Sequence, residues 1–95
     1  MSGGAPEPEV HVAGLVVHAL PEAASRVAAA IAREPGAQVH AQSPDGRLVV
    51  TLEADGGDAI AAAVVDIHRI EGVLAASLVY QHSEPESAMQ DEVDL

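Results

Sequence analysis

The sequence lacks several residue types that small proteins often use for stability. It has no Cys, no Trp and no Phe, and Tyr80 is its one tyrosine. Without Cys there is no disulfide and no thiolate metal site, which fits a reducing compartment. A chain of 95 residues forms a single domain. Val, Leu, Ile and Ala must therefore fill its core.

Long apolar runs and a signal-peptide pattern are also absent. No run reaches the roughly 18 apolar residues of a membrane span. The N-terminal "MSGGAPEPEV" has neither a basic start nor an apolar middle, so it does not read as a secretory signal. We therefore expect a cytoplasmic protein without membrane insertion.

Positive charge is scarce. Four Arg stand against fifteen Asp and Glu, which gives a net charge of −11 at neutral pH. Nucleic acid and anionic membranes are poor partners for such a chain, because contact with phosphate requires a basic surface. A cationic peptide is a better candidate.

Both ends of the chain differ in composition from its middle. Residues 83–95, "SEPESAMQDEVDL", carry five acids and no base, which predicts a disordered acidic tail. Residues 1–9 are predicted to form a flexible extension, which leaves residues 10–82 as the folded domain.

The folded region shows one pattern twice. A β-rich run ("GLVVHAL", then "RLVVTLEA") precedes a helical stretch ("PEAASRVAAAIARE", then "GGDAIAAAVVDIHRI"), and a turn leads to another β-rich run ("AQVHAQ", then "VLAASLVY"). The "SPDG" between the halves indicates a hairpin turn. Two βαβ units joined by a hairpin predict an α+β, ferredoxin-like split βαβ fold (βαββαβ). Its four-stranded antiparallel sheet has strand order 4-1-3-2, with both helices on one face.

Alternation along the strands predicts which side chains face the helices. The predicted core positions are Leu15, Val17, Leu48, Val50, Leu52, Leu74, Ala76, Leu78 and Tyr80. The other face then holds small, nearly uncharged residues at its centre: Gly14, Val16, Val49, Thr51, Ala75, Ser77 and Val79. An exposed apolar face of this kind marks a binding surface. A helix laid across the sheet suits its shallow floor, and a weak homodimer made by stacking two sheets is the alternative.

Signs of chemistry are few. The five histidines show no H-x-H or H-x-x-x-H spacing, so we predict no metal site. No Ser, His and Asp set for nucleophilic catalysis is recognisable, and we predict neither a cofactor nor enzymatic activity. A rival function on the same fold is an ACT-like regulatory domain that binds a small ligand or dimerises.

Several segments resemble the NapD family. They are "LVVHALPE", "PGAQVH", "DGRLVVTLEA" and above all "IEGVLAASLVYQHSE", and the resemblance covers roughly residues 10–84. The resemblance implies a ferredoxin-like cytoplasmic chaperone for the periplasmic nitrate reductase. It also implies that the sheet binds the twin-arginine signal peptide of the catalytic subunit as a helix. That binding holds back export until the molybdenum cofactor is inserted.

The topology predicts where the arginines of such a peptide bind. The ends of strands 3 and 4 and the start of strand 1 meet at one end of the sheet. The acids gathered there are Glu9, Glu53, Asp55, Glu84 and Glu86. Alternation places Glu53 on the exposed face, so it is the predicted partner of an arginine, which pairs best with a carboxylate that accepts two hydrogen bonds.

Overall fold

The computed structural model describes residues 9–85. Its elements are β1 (Glu9–Ala19), a 3₁₀ turn (Pro21–Ala23), α1 (Ala24–Ala32), β2 (Ala37–Gln42), β3 (Arg47–Ala54), α2 (Gly57–His68) and β4 (Val73–Pro85). The four strands form one sheet in the order β2-β3-β1-β4, and each neighbouring pair is antiparallel. The predicted split βαβ arrangement and strand order are confirmed.

The helices form where the apolar spacing predicts them. In α1 the buried residues are Ala24, Val27 and Ile31, and in α2 they are Ile60 and Ile67. These positions recur at intervals of three, four or seven residues, so each set forms one stripe along its helix. Both stripes pack on the same side of the sheet in a single core cluster.

The turn after α1 depends on Gly36. Its φ of 78° lies in the left-handed region, which residues with a Cβ rarely adopt. A Cβ there would also collide with the main-chain carbonyl oxygen of Glu53. The carbonyl of Gly36 accepts a hydrogen bond of 3.0 Å from the Glu53 amide. This contact ties the turn to the end of β3 that carries the predicted arginine partner.

The core is built from aliphatic side chains alone. Its largest fully buried members include Leu15, Ile31, Leu48, Leu52 and Ile67. β1 and β3 supply alternate residues and lie at the centre of the sheet. No polar or charged residue among those described is buried, so the folding energy of this core comes from apolar burial.

The prediction of facing is confirmed for β1 and β3 but is wrong in part of β4. Leu74 and Tyr80 are 65% and 45% exposed, whereas Val73 packs against the core. Ala76 and Leu78 keep the predicted side, because they pair with Val17 and Leu15, although Leu78 on this edge strand is 50% exposed. The pairing of β1 with β4 shifts register between Gly14 and Leu15 and again between His18 and Ala19. Each shift inserts one extra residue in β4, and an extra residue reverses the side to which the following side chains point.

The boundary of the folded domain also differs from the prediction. β4 continues to Pro85, and its last residues pair with the start of β1, Glu9 with Pro85 and His11 with Ser83. Three residues assigned to the acidic tail are therefore part of a strand. The rest of that predicted tail, residues 86–95, and residues 1–8 of the predicted extension lie outside the described part of the chain.

Candidate functional site

The sheet has one face without helices, which we call the open face. Its side chains fall into four rows across β3, β1 and β4, because directly paired residues of antiparallel strands point to the same side. The rows are Glu53–Val12–His82, Thr51–Gly14–Tyr80, Val49–Val16–Ser77 and Arg47–His18–Ala75. Seven of the eight predicted site residues lie in these rows, and Val79 lies beside Tyr80.

The centre of the open face contains a shallow apolar depression, which we call the cup. It has a volume of about 350 Å³ and is lined by side chains and backbone of Gly14, Leu15, Val16, His40, Val49, Val50, Thr51, Val79 and Tyr80. A Cβ at Gly14 would collide with the Tyr80 ring. The ring therefore lies in the space that a side chain at position 14 would fill. Beside it, the Tyr80 and His82 rings stack with centroids 5.8 Å apart.

Sequence reasoning missed two residues of the cup. Tyr80 was assigned to the core, because the extra residue in β4 leaves no signature in its alternation. His40 was not assigned to a face, and the structure places its Nε2 atom 2.7 Å from the Thr51 hydroxyl oxygen. His40 follows Val39, which packs against the core, so the alternation of β2 already places His40 on the open face. The irregular pairing of β4 brings Tyr80 to the same face and so shapes the cup.

One end of the sheet is acidic, as predicted; we call it the acidic end. Glu53 is exposed and lies in the first row of the open face, opposite Val12. The Glu9 carboxylate is exposed at the start of β1, and its Oε1 atom is 3.9 Å from His11 Nε2. Asp55 follows β3 and is also exposed. The backbone of Glu84 lies at the end of β4, and Glu86 is outside the described residues.

The opposite end of the sheet carries positive charge on the open face. Arg47 lies in the fourth row beside His18, and its Nη2 atom is 3.8 Å from the Asp45 carboxylate. A hydrogen bond from the Ser43 hydroxyl, together with the nearby Arg47 charge, lowers the pKa of Asp45 below its ordinary value of 3.8. The acid at this end is thus already engaged by its own hairpin, whereas Glu53 faces solvent.

A second cavity of about 490 Å³ lies on the helix side of the acidic end. Apolar residues such as Leu52 and Ile60 form its floor, and its rim carries Glu34, Asp55 and Asp66. Glu53 also lines it. Negative charge therefore surrounds this end of the molecule on both sides of the sheet.

The described residues form neither a metal site nor a membrane-spanning helix. Within residues 9–85, no group of three or more His, Asp or Glu side chains is placed to hold a metal ion. Neither helix in this part of the chain has the length and apolarity that crossing a bilayer requires. The geometry that remains is a binding surface: a small-residue apolar face with one acidic end.

Comparison with known proteins agrees with that geometry. The model of the NapD protein family matches residues 10–85. The chain belongs to the NapD family. Chaperone NapD of Escherichia coli K12 is 35% identical over 74 residues, which cover 77% of this chain and 85% of the relative. Chaperone NapD of Shigella flexneri gives the same figures.

A solved structure extends the match to three dimensions. The solution structure of the E. coli Tat proofreading chaperone protein NapD superposes with a TM-score of 0.72, at 35% identity and 81% coverage of both chains. The chain is therefore a NapD-type chaperone and not an enzyme, as the resemblance implied. Membership in this family also favours a protein partner over the small ligand of an ACT-like domain.

Proposed function

We propose that the open face binds the twin-arginine signal peptide of the periplasmic nitrate reductase catalytic subunit as a helix. Binding takes place in the cytoplasm and holds the enzyme back from export until its molybdenum cofactor is inserted. The observation that carries the proposal is the open face itself, an uncovered apolar sheet surface with an acidic end. Family membership and the Tat proofreading chaperone among its relatives support it.

The shape of the open face suits a helix. Val16 and Ser77 share the third row and Ala75 lies in the fourth, and such short side chains allow a helix backbone to approach the sheet closely. The surface has few hydrogen-bonding groups to offer at its centre. A helix satisfies its own backbone groups internally, so it can lie on an apolar floor without leaving donors or acceptors unpaired.

The charges favour one direction for the helix. A twin-arginine signal has a basic N-terminal region followed by an apolar stretch. Glu53, Glu9 and Asp55 attract the basic region to the acidic end, while Arg47 occupies the other end. The helix dipole adds to this preference, because the N-terminal end of a helix carries a partial positive charge. Among the acids whose side chains the structure describes, Glu53 projects from a strand onto the open face, so it is the proposed arginine partner.

Charged side chains on the open face should block binding without unfolding the protein. Ala75→Arg and Ser77→Glu each place a long or charged group under the helix. We expect calorimetric titration with a synthetic leader peptide to show no binding to either variant. The melting temperatures should change little, because substitutions at exposed positions usually alter the free energy of unfolding by about 0.5 kcal/mol or less.

The control for this experiment is a charge change away from the open face. Glu22→Lys alters an exposed side chain in the 3₁₀ turn and should leave leader binding within about twofold, because exposed surface charges contribute weakly. Unaltered binding by Ala75→Arg and Ser77→Glu would refute the proposed site. Sedimentation of the free protein checks the competing occupant, since a dimer that both variants abolish would assign the face to a second copy of the chain.

A further inference from the structure

We infer that the cup is a receptor for one large apolar side chain of the bound helix, located about one helical turn after the arginine that pairs with Glu53. This inference rests on the proposed function and assigns its specificity to particular residues of the open face. The cup selects the peptide by an apolar side chain, and Glu53 selects it by charge.

The lining of the cup indicates an apolar occupant. Val16, Val49 and Val79 present hydrocarbon, and the Tyr80 ring covers the backbone of Gly14. The polar groups at its edge already have a partner, because His40 Nε2 and the Thr51 hydroxyl oxygen lie 2.7 Å apart in a hydrogen bond. An occupant would therefore gain from burying apolar surface and would find no unpaired group to bond.

Tyr80 forms the wall of the cup. Its ring lies over Gly14 and is stacked with His82 at an interplanar angle of 21°, so two rings lie side by side along the margin. The ring is 45% exposed, which leaves surface that an occupant can cover. A flat aromatic surface contributes a large contact area at a low cost in conformational entropy.

The cup has room for a large apolar side chain. Its volume of about 350 Å³ is at the lower end of the roughly 300–1,000 Å³ typical of small-ligand pockets. It is a depression in a sheet surface, so a helix lying on that surface can insert a single side chain. A helix presents successive side chains to one face every three or four residues.

The spacing to Glu53 follows from the register. Thr51 at the edge of the cup and Glu53 are two residues apart in β3 and point to the same face, which places them about 7 Å from each other along the strand. One helical turn advances about 5.4 Å, and long side chains on a helix lean back toward its N-terminus. An arginine that reaches Glu53 therefore places the residue three or four positions later over the cup.

A double-mutant cycle tests this arrangement. The probe is a synthetic leader peptide, free of Tyr and Trp, with an arginine pair and a leucine one turn later; its matched form has Ala in place of that leucine. Val49→Phe fills the cup from a position that is 42% exposed. We expect it to weaken binding of the leucine peptide by about ten- to hundredfold. The alanine peptide should bind Val49→Phe and the unmodified protein equally, within about twofold.

Two further variants make the cycle decisive. Tyr80→Ala removes the wall of the cup, so it should weaken the leucine peptide selectively even if Val49→Phe fails to fold. Ala75→Leu enlarges a residue of the same face in the fourth row, outside the cup, and should affect both peptides by the same factor. Equal effects of Val49→Phe or Tyr80→Ala on the two peptides would overturn the inference.

Tyr80 also supplies a direct signal, because the chain has no Trp and no other Tyr. Its fluorescence should change on binding the leucine peptide and change much less on binding the alanine peptide. Equal changes with both peptides would place the leucine elsewhere. If the unmodified protein binds neither peptide at about 1 mM, a concentration that corresponds to only about 4 kcal/mol of binding free energy, the proposed function itself fails. If the unmodified protein binds both peptides but the variants affect them equally, only the inference about the cup fails.

Discussion

Gly14 and Tyr80 together shape the surface of the open face. A side chain at position 14 would occupy the space of the Tyr80 ring, and the ring would then have to leave the sheet surface. Because Gly14 has no side chain, the Tyr80 ring can lie against its backbone and form one side of the cup. With Ala at that position the ring could not keep this place, and the cup would lose that side.

Glu53 is the residue whose charge we expect to matter most for binding. Glu53→Gln keeps the shape of the side chain but removes its charge, and it should mainly raise the dissociation rate of the leader peptide. Replacing the paired leader arginine by Gln should then cost little more, because the two changes remove the same contact. Surface plasmon resonance on the four combinations measures both rates.

The matched control for Glu53 is Glu71→Gln, an exposed acid at the other end of the sheet. It should leave the dissociation rate unchanged. If Glu53→Gln and the arginine change add fully, or if only the association rate responds, the arginine is not bound at Glu53 and the acid acts through the long-range field.

At the scale of elements, β4 decides most of what differs from a regular sheet. Its two register shifts move Leu74 and Tyr80 out of the core. Its C-terminal part runs past the end of β3, since Ala54 pairs with His11 while Pro85 pairs with Glu9. The ends of β1 and β4 thus form a two-stranded extension, and an isolated ribbon of two strands is only marginally stable.

Truncation distinguishes the strand from the tail beyond it. Removal of residues 86–95 should leave thermal unfolding cooperative and the melting temperature close to that of the full chain. Removal of residues 83–95 also deletes the pairing of Ser83 with His11 and should lower the free energy of unfolding by about 1 kcal/mol, since only ladder hydrogen bonds are lost. Calorimetry of the two truncated chains checks both values. A large loss from the shorter truncation would show that the tail packs on the domain.

At the scale of the whole molecule, charge is distributed unevenly over the surface. The chain carries a net charge of −11, yet Arg47 lies on the open face at the end opposite to Glu53. The net negative charge therefore attracts a cationic peptide, and the difference in charge between the two ends of the open face orients it. Long-range attraction of this kind accelerates association, whereas contacts at the site govern dissociation.

The association rate of a leader peptide should consequently fall as salt rises. Between about 50 and 500 mM salt the Debye length shrinks from roughly 14 to 4 Å, so we expect association to slow by about tenfold or more. Removing residues 86–95, which contain four acids, should reduce this dependence and leave the dissociation rate unchanged. Stopped-flow measurements on both chains test this, and a salt-independent association rate would contradict electrostatic steering.

The sequence by itself determined the fold of this protein. Repeated runs of apolar alternation and helical spacing, separated by turns at Pro35–Gly36 and "SPDG", are local signals, and each element forms where they predict it. Because every element must bury one apolar side, the core residues of β1, β3 and both helices follow directly. The open face and its acidic end follow in turn from topology and alternation.

Only the tertiary structure decided the detailed shape of the open face. Tyr80 lies on the open face because β4 takes an extra residue against β1 opposite Gly14 and Leu15. A bulge depends on how two strands fit together in register, and neither strand records it in its own alternation. The cup residues that follow from alternation, with Val79 and His40 among them, were therefore predictable, whereas Tyr80 was not.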